Sequence, residues 1–183
     1  VGLDSTPDVD SRVLGTYRLG ANAVLDVSGT TVLSPGNVGQ QRAGTVLDAG
    51  QITVQAPSSL SATTAVDLAK GAQLLANGTQ STLDVQSLGP GGVVLTERQD
   101  VASNGGVIAI HAGAAGSSLS ATLQASAGSS EAQGGTLKLS ITDSGSISAP
   151  IASLQVQQSL VTEGAEPGVM RVSADAIRDA IPN

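Results

Sequence analysis

A glycine-led run of alternating aliphatic residues, GGVIAIHA at 105–112, returns often enough along this chain to dictate its fold class. Close copies are GGTLKLSI (134–141), AGQITVQA (49–56) and PGVMRVSA (167–174), with weaker ones in NAVLDVSG (22–29) and QSTLDVQS (80–87). The first inward aliphatic of each copy serves as an anchor: Leu25, Ile52, Leu83, Ile108, Leu137 and Met170. Two positions further on stand Val27, Val54, Val85, Ile110, Leu139 and Val172, all aliphatic. This is the period-two pattern of a strand with one buried face.

The intervening positions form the other face. One residue after the anchors come Asp26, Thr53, Asp84, Ala109, Lys138 and Arg171; three after come Ser28, Gln55, Gln86, His111, Ser140 and Ser173. A second element repeats as well: SSLSAT occurs at 58–63 and again at 117–122, and GSISA at 145–149 is a near copy. Each unit therefore holds at least two short strands. Helical patterning is confined to SADAIRDAI (173–181), where Ser173 is placed to cap and Ile177 and Ile181 share a face.

Such a unit cannot bury its apolar face alone, so units must stack, and a period of about 20–50 residues marks a solenoid or propeller. Composition decides between them. The 183 residues include 23 Gly but no Phe, Trp or Cys, with Tyr17 and Met170 the single members of their types. Aromatic side chains fill large volumes from single positions, and a propeller blade needs such volumes. Stacked coils place Val, Ile and Leu above their equivalents and need none. The expectation is an all-β parallel β-helix (β-solenoid) of about six coils of roughly 29 residues, spanning 13–174. Residues 1–12 read as an acidic linker or preceding segment and 175–183 as a terminal short helix, cap or linker. Glycines at the corners would permit tight bends, while SLGPGG (87–92) and TEGAEPG (162–168) read as inserts bulging from the stack.

Charge and composition exclude several functions. Fifteen acids against eight bases give a net charge of -7, which opposes binding to nucleic acid or anionic membranes. Without Cys there is neither a disulfide framework nor a thiolate zinc site. The start at Val1 reads as that of a processed chain or fragment, and VGLDSTPDVD has neither the basic nor the apolar region of a secretory leader. Glycoside hydrolysis needs paired carboxylates, yet Asp26 and Asp84 are a coil apart in the aligned outward column. Calcium-binding repeats are missing, the early acids fit no EF-hand loop, and one His, His111, disfavours a metal site. A nucleophilic triad would need that same His beside an acid and a serine. NGT at 77–79 matches a glycosylation acceptor and reads as a loop turn. No catalytic, cofactor-binding or metal-ligating residue is assigned, and no cofactor is expected.

Taken together, GGVIAIHAG, GGTLKLSI, LDVSG and GAQLLANG resemble the central repeats of filamentous haemagglutinin-like exoproteins, large adhesins that Gram-negative bacteria export by two-partner secretion. The likeness runs from about Val13 to Ala174. It implies a right-handed β-helical rod, secreted or at the cell surface, that serves adhesion, aggregation or biofilm formation. The implied partners are a host-cell, bacterial-surface or matrix glycan or protein, and an outer-membrane transporter. The family's amino-terminal secretion domain, with its Asn-Pro motif, has no match here, and no family functional residue maps onto the segment. A polysaccharide lyase or hydrolase on the same scaffold, and a secretion-assisting passenger or capping segment, are the alternatives.

Overall fold

A computed structural model describes residues 15–36, 41–55, 64–112, 116–141, 153–157 and 169–174. The first strands are β1 (Gly15–Leu19), β2 (Val24–Asp26), β3 (Thr30–Leu33), β4 (Gly44–Leu47) and β5 (Gln51–Gln55). Then come β6 (Thr64–Leu68), β7 (Gln73–Leu75), β8 (Gln80–Leu88), β9 (Val94–Ala102) and β10 (Val107–Ala112). The last are β11 (Ser117–Leu119), β12 (Thr122–Gln124), β13 (Thr136–Ile141), β14 (Ser153–Gln157) and β15 (Val169–Ser173). The protein is all-β, and three of its sheets are parallel throughout. The first runs β1-β6-β11-β15-β14, the second β2-β7-β12 and the third β5-β10-β13.

From β1 to β13 the chain visits these sheets in a fixed order, first to second to third, and then begins again; β14 and β15 both join the first sheet, with β15 between β11 and β14. Register is kept across every step. Leu19, Leu68, Leu119 and Val172 are paired in the first sheet. Leu25, Leu74 and Leu123 are paired in the second, and Ile52, Ile108 and Leu137 in the third. These columns point into one core, in which Val66, Leu74, Ile108, Ile110, Leu119 and Leu123 are fully buried. A fully buried aliphatic side chain of this size contributes roughly 1.5–3 kcal/mol, but only where circuits above and below cover it. Leu25, in the first circuit, is 39% exposed, whereas Leu74 beside it is 0% exposed. Each circuit completes the burial of its neighbour.

The six sequence copies do not form one column. Only the copies at Ile52, Ile108 and Leu137 are stacked. The copy at Leu25 belongs to the second sheet, that at Met170 to the first, and that at Leu83 to an antiparallel pair. Alternation reports that one face of a strand is buried and is blind to which sheet the strand joins. Hydrogen-bonded register identifies the true equivalents, which between the first two circuits are Leu25 and Leu74. YRLGANAVLDVSGT (17–30) and VDLAKGAQLLANGT (66–79) align over this step without a gap. The second SSLSAT copy likewise pairs through Ser117–Leu119 with Val66–Leu68. Its first copy, like GSISA, TEGAEPG, residues 1–12 and 175–183, lies outside the described residues. Ser173, expected to cap a helix, is the last residue of β15 and directly precedes Ala174, which is helical; the rest of the expected helix lies outside the described residues.

The glycines of GGVIAIHA also serve a different purpose from the one expected. Among the described residues, positive φ is confined to Gly71, Gly91, Gly92 and Gly116. Gly106 needs no unusual backbone angle. A Cβ there would run into the carbonyl oxygen of Gly50 in the circuit below, so the residue is required by close stacking of backbone on backbone.

Candidate binding surface on paired hairpins

The path between the second and third sheets differs in each circuit. It runs from Leu25 to Ile52 in the first, from Leu74 to Ile108 in the second, and only from Leu123 to Leu137 in the third. The surplus in the first two circuits forms hairpins, β3–β4 and β8–β9, that leave the same corner after Gly29-Thr30 and Gly78-Thr79. Asn77 fastens that corner. Its side-chain amide donates to Gln124 Oε1, while its Oδ1 accepts from the Ser126 amide at 3.0 Å and hydroxyl at 2.9 Å. Its own backbone N–H donates to Ser28 Oγ. The Asn of the NGT match is therefore a structural bracket across three circuits.

Above the corner the hairpins are joined at Asp84. One carboxylate oxygen accepts the Arg42 backbone N–H at 2.6 Å and the other accepts Arg98 Nε at 3.1 Å. The Asp84 amide donates back to the Arg42 carbonyl at 3.0 Å. The Arg42 N–H, then the Arg98 guanidinium, hold the Asp84 carboxyl below its ordinary value of 3.8. A chain of side chains extends the contact: Gln86 donates to Gln41 and Gln41 to Thr96. Thr82 donates to Asp100 at 2.5 Å on the same face. Arg42, Thr82 and Arg98 line an open recess of about 320 Å³, within the range of small-ligand sites. At the far end of the second hairpin, Leu88 is 80% exposed and is joined by exposed Val93, Val94 and Leu95.

This surface is not legible as a site in the sequence. The outward column groups Asp84 with Asp26, but the two stand on different elements, Asp26 beside Leu75 and Asp84 opposite Arg98. Of that column only Thr53, Ala109 and Lys138 are neighbours in register. SLGPGG, expected to bulge from the stack, contains the turn of β8–β9, in which Gly91 and Gly92 take positive φ. The signal that could have found it is the aliphatic and polar alternation on both sides of that turn, which is a hairpin signature.

His111 does meet a serine. Its Nδ1 shares a 2.5 Å hydrogen bond with Ser140 Oγ, and Gln55 is its neighbour on the other side. Neither neighbour is a carboxylate, so the ladder lacks the acid that orients a catalytic imidazole. Among the described residues, no three His, Cys, Asp or Glu side chains are grouped to hold a metal ion. Asp26 is also held below its ordinary value, by the Ser28 hydroxyl and amide. Both of these displacements run opposite to that of a glycosidase's general acid, which must be raised. A smaller apolar recess of about 150 Å³, lined by Tyr17, Leu19, Leu25, Val54 and Leu68 together with Arg18, opens at the first circuit. Among the described residues, no helix is long and apolar enough to cross a membrane.

No protein-family model, curated protein or solved structure matches this chain.

Proposed function

We propose that the chain is a parallel β-solenoid segment of an adhesive rod, with three full coils in the described residues and two further strands, β14 and β15, added to the first sheet. Its role is to extend and present the hairpins, and it catalyses no reaction. The observation that carries this reading is the pair of hairpins displayed from one corner of successive circuits and joined through Asp84, while the sheets beneath keep register. Binding spread over protruding loops of a rigid scaffold fits a surface protein, and exposed apolar tips such as Leu88–Leu95 mark contact sites. The resemblance to filamentous haemagglutinin-like repeats supplies the right-handed coil, export through an outer-membrane transporter and a role in adhesion, aggregation or biofilm formation. The ligand class is a glycan or protein of a host cell, a bacterial surface or a matrix.

The test compares the purified chain with a variant lacking residues 81–101, using immobilised host cells, bacterial cells and matrix glycans. Reversible binding without turnover, lost in the variant, is the expected result. Cleavage of a glycan that disappears on changing a single acid such as Asp84 or Asp100 would instead establish the polysaccharide-acting enzyme.

A further inference from the structure

The β8–β9 hairpin is a ribbon of two nine-residue strands, and such ribbons are marginal in water unless further strands or a packed face support them. Its two edges are unequal. The β8 edge is engaged at Asp84 by the Arg42 backbone in both directions. The β9 edge has no strand beside it among the described residues, and Val94 to Asp100 are exposed. We infer that the β9 edge pairs antiparallel with the β9 edge of a second copy of this chain, about a two-fold axis at Gln99, forming a four-stranded sheet between two molecules.

Charge selects both the occupant and the register. A two-fold axis perpendicular to the sheet sets the central residue opposite itself, so each candidate register is named by that residue. Centring on Glu97, Arg98 or Asp100 places identical charges face to face, which is destabilising across strands. Centring on Thr96 sets Glu97 against Leu95 and forms no charge pair. Centring on Gln99 sets Arg98 opposite the second copy's Asp100, twice by symmetry. Because Asp84 is opposite Arg98 and Thr82 opposite Asp100 within the hairpin, the row then reads Asp84, Arg98, the second copy's Asp100 and its Thr82. Charged residues on an edge strand ordinarily repel unspecific strand addition. Here they admit one register of one partner.

The test is sedimentation of the full chain together with single cysteines, which report cleanly because the chain has none of its own. Directly opposed antiparallel residues have Cα atoms about 4.5–5.5 Å apart, within disulfide reach. The wild type is expected to form a concentration-dependent dimer, and Asp100→Arg to weaken it roughly tenfold or more with unchanged circular dichroism. Oxidised Gln99→Cys is expected to give a covalent dimer, and Glu97→Cys and Val101→Cys none. A wild type that is monomeric at every concentration, or cross-linking at 97 or 101 as efficient as at 99, overturns the inference. If Asp100→Arg fails to fold, the three cysteine variants decide the matter alone.

Discussion

Ile110 and His111 are adjacent in sequence and opposite in environment. Ile110 is 0% exposed, within the column Val54, Ile110 and Leu139, whereas His111 is half-buried in the outward column with Gln55 and Ser140. Ile110→Asp buries a charge with no partner, and it is expected to destabilise the protein by roughly 3–5 kcal/mol. His111→Ser removes one contact to Ser140 at the edge of solvent and is expected to change stability by about 0.5 kcal/mol or less. Chemical denaturation of both variants checks the pair, and equal small effects would refute the facing of β10. The facing itself is readable from alternation. Two other residues are not readable for what they do, and the reason is the same for both. Gly106 is needed because Gly50 lies directly beneath it, and Asn77 because Ser28 and Ser126 flank it, relations between circuits that local sequence does not contain.

Among the elements, the third circuit is the informative one because it closes without a hairpin. It passes from Leu123 to Leu137 by a short connection and still keeps its register in the second and third sheets. The hairpins are therefore insertions that the sheets do not require. Deleting residues 81–101 is expected to leave a cooperative thermal transition lowered by only a few degrees, consistent with a loss of about 1 kcal/mol, since Leu83 is the hairpin's one buried large side chain. Loss of the transition would mean that β8–β9 is part of the core. These insertions also explain why the apparent repeat misleads. Its spacing matches the step from Ile108 to Leu137, the circuit without a hairpin, but the step from Ile52 to Ile108 is nearly twice as long. Counting β8 as a stacked copy makes the unequal steps look even. The better guide is the ungapped likeness of 17–30 to 66–79, where Leu19 and Leu68, Ala23 and Ala72, and Gly29 and Gly78 coincide.

For the whole molecule, the scarcity of aromatics and the stacked topology are one fact seen twice. A core made of Val66, Leu74, Ile108, Leu119 and similar side chains is thin, and it becomes dry only when each circuit is roofed by the next. That arrangement leaves side chains free to vary on the outside, and the chain uses the freedom at one corner, where β3–β4 and β8–β9 carry Arg42, Asp84 and Arg98. Which strands lie side by side is tested directly by cysteine pairs. In register, His111 is next to Gln55, whereas evenly spaced copies would set it beside Gln86. Gln55→Cys with His111→Cys is expected to form an intramolecular disulfide on oxidation, and Gln86→Cys with His111→Cys is not. A disulfide between positions 86 and 111, with none between 55 and 111, would contradict that register.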